Sequence, residues 1–382
     1  MAISAATLLL VLILLAGGYV YWTSKEFVTF YPAHGYLENG KWRITVAIWV
    51  HQRRPIARWL AAQGAGKFFD ATVAEMTNVG TSVRDFVADG ESNKSVAFKF
   101  DGHPEEYGLK DDQGQLITTD KNGFAEGMVE LAEDAATQLL KHQSAGNPGW
   151  LSIEISSGQS LSGDRRQVRL IPPGKGVIVI SDIDDTVKIT DIPAGKREMM
   201  RNTFLREYRA TPGLAKMYRN WEREGVEFAY VSGGFYQLYE PLSAFLFDQM
   251  KGNFPVGAMQ MRHAPTDILR PSTKWIPARV PIEKLENVTP DEKTTGTQAY
   301  KVRTIARIIE RFPDKSFILV GDSGEQDPQA YKEIKKEKFP SRDITVYLRD
   351  VVKGMAVEKW GAGAREDIRL IDPDTGEVKP PQ

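Results

Sequence analysis

The sequence predicts an α/β fold: a parallel sheet flanked by helices, preceded by a β-sandwich-like domain and an N-terminal transmembrane helix. Three observations lead there. From about residue 171 to 360, apolar β-branched runs alternate with helix-patterned segments, which is how a parallel α/β layer reads. Between 27 and 170, short strand-like runs are separated by Gly and Asn turns, the pattern of a sandwich. Residues 3–22 carry no charge and are long enough to span a bilayer as a helix.

Composition narrows the function classes. A chain of 382 residues suits more than one domain. Its net charge of -1 argues against a general nucleic-acid binder, which would be strongly basic. The absence of cysteine excludes disulfides, zinc-thiolate sites and cysteine nucleophiles. The five histidines are too scattered for a His-rich metal site.

At the N-terminus, Tyr19, Tyr21 and Trp22 close the apolar span, as aromatic rings do at a membrane interface. A cleaved signal peptide is the rival reading, with Ala16-Gly17-Gly18 as its cleavage site, but no basic n-region precedes the run. An uncleaved anchor is the favoured expectation. Lys25 follows the span and nothing basic precedes it, so the body is expected to face the cytoplasm, with an exported body as the alternative.

In the β-rich segment, 27–31 and 42–50 read as strands, with the Asn39-Gly40 hairpin signal before the second. The runs 95–100, 150–155 and 166–171 add further strands, and Asn122-Gly123 another turn. Arg53, Arg54 and Arg58 near Trp59 suit either an anionic membrane surface or an ordinary solvated helix face. The segment shows no convergent acids and no Gly-rich phosphate loop, so it is expected to bind, orient or support. Residues 172–176, Pro-Pro-Gly-Lys-Gly, form the expected joint.

The second unit begins with the strand Val177–Ser181, followed by Asp182, Asp184 and Asp185. Ligands of open parallel sheets bind at the carboxyl ends of strands. Three carboxylates crowded there repel one another unless a cation or proton is shared, which points to Mg²⁺. Next come a basic segment (Lys196, Arg197, Arg201, Arg206, Arg209) and a helix from Leu214 with Met217, Tyr218 and Trp221 on one face. The strand 226–231 ends in Ser232-Gly233-Gly234, where a hydroxyl and freed backbone N–H groups make a small phosphate cradle. A third strand is expected at 255–262, an irregular insertion at 263–295, and a helix at 296–311 carrying Lys301. Phe317–Val320 delivers Gly321-Asp322, with Asp327 shortly after, and 344–350 is a fifth strand. Residues 361–382 are expected to form a tail, frayed from Asp372 onward.

The string Ser181–Ile189, with Asp182-x-Asp184-x-Thr186, resembles the first motif of haloacid dehalogenase (HAD) phosphatases. Within that superfamily it is similar to the actin-patch phosphatidate phosphatase family, a relative of the lipins. Ser232 resembles the second motif, Lys301 the third, and Asp322 with Asp327 the fourth, over roughly residues 177–350. The pattern departs from the family at Gly233-Gly234 and at Tyr300, where a histidine is usual.

The resemblance implies a HAD-like Rossmannoid domain at 171–360, with the basic segment after the first strand as a flap. It implies a Mg²⁺-dependent phosphoric monoester hydrolase that converts phosphatidate to diacylglycerol and phosphate. Asp182 would be the nucleophile and Asp184 the acid–base. Mg²⁺ would be held by Asp182, the Asp184 backbone carbonyl and Asp322, with Asp327 and Thr186 supporting from behind. Ser232, Gly233 and Lys301 would hold the phosphoryl group. The implied partners are a phospholipid and a membrane, with no nucleic acid. A HAD phosphatase acting on a soluble phosphomonoester is one alternative. A non-catalytic, membrane-tethered binder of phosphate headgroups is the other, and the intact Asp182 and Asp184 argue against it.

Overall fold

A computed structural model describes residues 25–52, 88–143, 149–156, 159–160, 166–262 and 296–379. The expected anchor at 3–22, the Arg53–Trp59 cluster and the insertion at 263–295 lie outside the described residues. The anchored localisation is corrected: among the described residues, no helix is long and apolar enough to cross a membrane.

The first unit is one strongly curled sheet rather than two stacked ones. Its strands are β1 (Glu26–Phe30), β2 (Ala33–Glu38), β3 (Lys41–Gln52), β4 (Asp89–Gly90), β5 (Ala97–Phe100), β6 (Tyr107–Gly108), β7 (Phe124–Ala132), β8 (Trp150–Ile155), β9 (Gln159–Ser160) and β10 (Gln167–Ile171). β3 organises it. Both β1 and β2 pair along one of its edges and β7 along the other, all antiparallel. From β2 the sheet continues through β10, β8 and β5 to β6. It then curls until Lys110 meets Met128 of β7 through two backbone hydrogen bonds of 3.0 and 2.7 Å. Alternation along β3 explains the packing. Ile44, Val46 and Ile48 fill the interior with Phe98, Phe100 and Leu151, while Ala47 and Trp49 join the core of the second unit.

The second sheet is entirely parallel, as the alternating pattern predicts. It comprises β11 (Val177–Ser181), β12 (Glu227–Phe235), β13 (Ala258–Arg262), β14 (Ser316–Asp322), β15 (Ile344–Arg349) and β16 (Ile368–Ile371). The spatial order is β13-β12-β11-β14-β15-β16. With β11 as the first strand this is 3-2-1-4-5-6, the doubly wound order, and its direction reverses between β11 and β14. β11 is a continuous apolar run because both its faces are covered. Val179 faces one core with Leu214, Tyr218 and Phe228, while Ile178 and Ile180 face the other with Ile305 and Ile309.

β16 falls inside the expected tail. Beyond it, Val378 bridges back to Ile371 and the Lys379 amide donates to Leu370 at 2.8 Å, so the polar end is folded against the sheet edge. Gly376 makes this contact possible: a Cβ there would sit 2.1 Å from the Pro212 carbonyl oxygen.

The two units are tied together. Arg169 Nε donates to both Glu227 oxygens, at 3.0 and 2.9 Å. The Tyr31 hydroxyl donates to the Tyr236 carbonyl at 3.1 Å.

Candidate active site

The reversal point between β11 and β14 is where an acidic, deeply buried cluster sits. Asp182 leaves the end of β11, and its amide donates to the Val320 carbonyl of β14 at 2.8 Å. Asp322 is the last residue of β14. Both side chains are buried. Lys301 reaches them from the helix Thr297–Arg311. Its ammonium lies 2.7 Å from Asp182 Oδ1, 2.5 Å from Asp327 Oδ1 and 3.5 Å from Glu325 Oε2. Burial works against the Lys301 charge, but Asp182 and Asp327 outweigh it and hold the ammonium well above its ordinary pKa.

The carboxylates outnumber that lysine. Burial pushes the Asp182 carboxyl well up, and Lys301 offsets this only in part against Asp327, Glu325 and Asp322. Asp322 is pushed well up by burial and then by Asp327 and Glu325. Its Oδ1 accepts from the amides of Gly324 and Glu325, at 2.6 and 3.2 Å. Its Oδ2 has no hydrogen-bond partner among the described residues. Asp182, Asp322 and Glu325 each place an oxygen within 4.8 Å of the others. An orphaned buried carboxylate oxygen in an all-oxygen cluster suits a hard divalent cation.

Glu325 is the member of this cluster that motif reasoning missed. It follows Asp322 by three residues in a Ser-Gly turn, and such a turn gives no sign of side-chain direction. Lys359 fixes this turn by donating to the carbonyls of Ser323, Gly324 and Glu325, at 2.7, 3.1 and 2.6 Å. Asp327 stands behind the cluster. Besides holding Lys301, its Oδ2 accepts from the Asp322 amide at 3.2 Å. A Cβ on Gly321 would lie 2.4 Å from that oxygen, so the tight approach requires glycine.

The three adjacent acids of the β11 turn separate into different surroundings. Asp185 has φ 54°, and its carboxylate turns inward to accept from the amides of Thr190, Asp191 and Ile192, at 2.8, 2.6 and 2.7 Å. It caps the turn and does not join the acidic cluster, contrary to the expectation from its position. Thr186 Oγ1 donates to Asp182 Oδ2 at 3.2 Å, behind the strand-end acid.

Asp184 points the other way. Its Oδ1 accepts from Lys188 Nζ at 2.9 Å and Thr190 Oγ1 at 2.6 Å. Burial alone would raise its pKa, but Lys188 and the hydrogen bonds from Thr190 and Lys188 outweigh this and hold it below the usual carboxylate value.

Ser232, at the end of β12, faces Asp184 from across the site. Its Oγ lies 3.4 Å from Asp184 Oδ2 and accepts from the Gly234 amide at 2.9 Å. A Cβ on Gly233 would meet Thr297 at 2.6 Å. Gly233, one of the two glycines that depart from the family pattern, thus brings this loop against the start of the Lys301 helix. A cavity of about 310 Å³ opens beside Asp184, Lys188 and Thr190, walled by Met199, Phe204, Leu238 and Leu242. Met199 and Phe204 belong to the helix Lys196–Phe204, the segment expected as a flap.

The part of the chain that carries this geometry matches a family model. Residues 177–350 match the family model described as phosphatidate phosphatase APP1, catalytic domain. That segment is similar to the catalytic domain of this phosphatidate phosphatase family. It spans β11 to β15 and contains every acid and lysine of the cluster. The phosphatidate phosphatase APP1 of Saccharomyces cerevisiae is 30% identical over 177 residues, 46% of this chain and 26% of that protein. An uncharacterized protein of Schizosaccharomyces pombe is 27% identical over 183 residues, with the same shares of 46% and 26%. The chain thus covers about a quarter of the length of these curated relatives. Among solved structures, one described by the divergent catalytic and non-catalytic binding functions of a carbohydrate esterase active site aligns at a TM-score of 0.22. Its identity is 11%, over 90% of this chain and 93% of that one, and no fold is assigned from it.

Proposed function

We propose that the chain is a Mg²⁺-dependent phosphatidate phosphatase with a HAD-type site. Asp182 would attack the phosphorus of a lipid phosphomonoester and form an aspartyl-phosphate. The observation that carries this reading is the placement of Asp182. It lies at the strand-order reversal, with Lys301 on one of its oxygens and Asp322 and Glu325 close by.

Asp182, Asp322 and Glu325 would hold Mg²⁺, together with the Asp184 backbone carbonyl. When bound, the ion offsets the charge that gathers between a carboxylate and a phosphate. Ser232 Oγ, the Gly233 amide and Lys301 would hold the phosphoryl oxygens, and Asp327 would keep Lys301 aimed at them. Asp184 would give a proton to the leaving oxygen as the P–O bond breaks. It would then take one from the water that hydrolyses the aspartyl-phosphate, so the cycle closes on the starting enzyme. The apolar wall of the cavity beside Asp184 supports a substrate whose leaving alcohol carries hydrocarbon.

The test is phosphate release from phosphatidate in mixed micelles, with Mg²⁺ and with EDTA, for the protein and for Asp182→Asn. Release that requires both Mg²⁺ and Asp182 is expected. Asp182-dependent release from an aryl phosphate but not from phosphatidate would discard the lipid and retain the chemistry. Silence on both substrates from a folded protein would refute the hydrolase reading.

A further inference from the structure

Lys188 is buried, at 1% exposure, although it lies outside the Asp-x-Asp-x-Thr spacing. A buried ammonium is costly unless it is paired and hydrogen-bonded. Here Nζ lies 2.9 Å from Asp184 Oδ1 and 2.5 Å from Thr190 Oγ1, and 4.9 Å from the centre of the Tyr208 ring. Its backbone is held just as firmly. The Lys188 amide donates to the Ile183 carbonyl at 3.0 Å, and its own carbonyl accepts from the Asp185 amide at 2.7 Å. The lysine is therefore fixed at both ends.

The consequence falls on Asp184. Lys188 and Thr190 both donate to Oδ1, and Thr190 is itself buried. Oδ2 faces the other way, 3.4 Å from Ser232 Oγ. Exchanging the two oxygens by rotating the carboxylate would break two hydrogen bonds, one of them charge-assisted. Asp184, Lys188 and Thr190 all border the cavity.

We propose that Lys188 is a positioning residue that reserves Asp184 Oδ2 for proton transfer to the leaving oxygen. This rests on the hydrolase reading above. In the substrate complex, with phosphate beside it, Oδ2 carries the proton. As the P–O bond breaks, the bond's electron pair stays on the leaving oxygen, which takes that proton and departs as an alcohol. Oδ2 recovers a proton from the attacking water. Lys188 transfers nothing; it holds Oδ1 so that the same oxygen faces the reaction in both halves. Thr190 is the weaker partner in this role.

The leaving group provides the test. An alkyl leaving group needs the proton, whereas p-nitrophenolate leaves without it. Lys188→Met, Lys188→Arg and Thr190→Val are compared with the wild type by kcat/KM, which reports the steps up to loss of the leaving group, on phosphatidate, on an alkyl phosphate and on p-nitrophenyl phosphate, all with Mg²⁺. Lys188→Met is expected to lose about 100-fold or more on the alkyl esters and less than about 10-fold on the aryl ester, in the range of one general-acid contribution. Lys188→Arg recovers part of the alkyl rate, and Thr190→Val shows the same selectivity at smaller size. Should Lys188→Met not fold, Thr190→Val carries the comparison alone. Equal losses on both ester types, or none on either, overturn the positioning role while leaving the hydrolase intact. A wild type silent on every substrate overturns the hydrolase reading, and this one with it.

Discussion

Replacing Lys301 with methionine removes the ammonium shared by Asp182, Asp327 and Glu325 and keeps the aliphatic bulk of the side chain. Asp182, Asp327 and Lys301 are all buried, so water cannot take over the lost interactions. Removing one partner of a buried ion pair costs about 3–5 kcal/mol. Proton uptake by the stranded acids limits that cost, so the deficit should depend on pH. Acids whose folded pKa is raised above the unfolded value destabilise the fold increasingly as pH rises past the unfolded value. The Lys301→Met deficit should therefore be largest near pH 8 and shrink towards pH 5. With a urea slope of about 3 kcal/mol per molar, the midpoint should fall by about 1–2 M at neutral pH. The assay is urea unfolding followed by circular dichroism, in EDTA, at pH 5 and pH 8. A deficit below about 1 kcal/mol, or one identical at the two pH values, would refute the buried-charge account.

Two further outcomes follow from the same electrostatics. Asp322→Asn removes a buried charge while keeping an acceptor for the Gly324 and Glu325 amides, so in EDTA it should stabilise the fold by about 1–3 kcal/mol. It should also abolish any rise in melting temperature on adding Mg²⁺, and a variant that still gains as much from Mg²⁺ as wild type would contradict the site. His34, in β2 and edge-on to Phe312, is held down to about 4 from 6.5, chiefly by burial, with Glu227 opposing. Between those values the unfolded chain binds the extra proton, so the stability from neutral His34 is complete above about pH 6.5 and lost as pH falls towards 4. Its partly exposed ring trims the effect to about 1–3 kcal/mol. His34→Gln should flatten the unfolding free energy between pH 7.5 and pH 5, and an unchanged slope would exclude His34 as the source.

Legibility followed the physics of each element. β11 and β14 were readable because strands covered on both faces become unbroken apolar runs, and their terminal Asp182 and Asp322 stand out at the ends. The doubly wound core was readable from alternation, but its sixth strand was not: Ile368–Ile371 is only four residues long and follows a one-turn helix. In the β-rich unit the local strands and turns were evident, while the parallel pairing of β10 with β2 joins residues more than 130 positions apart and leaves no local signal. The acids of the β11 turn were visible as a group. Their separate tasks depend on side-chain direction, which the left-handed backbone at Asp185 sets. Lys188 and Thr190 lie outside the Asp-x-Asp-x-Thr spacing, and their burial and contacts with Asp184 give them their significance.

The electrostatics of the free site runs opposite to the roles proposed for its two leading acids. Asp182, the proposed nucleophile, is pushed towards the neutral acid by burial and its neighbours, whereas Asp184, the proposed proton donor, is held as a carboxylate by Lys188 and Thr190. The two ligands of the proposed reaction would correct both biases. A divalent cation among Asp182, Asp322 and Glu325 favours the ionised form of Asp182. A phosphate dianion against Ser232 lies beside Asp184 Oδ2 and favours its protonated form, because like charges at close range disfavour ionisation. On this view the acids reach their working protonation states only when cation and phosphate are both present, and neither ligand alone prepares the site. The same logic explains why Asp184 has a lysine of its own. Without Lys188, the cost of a second negative charge beside Oδ2 would fall on a carboxylate free to turn away from it.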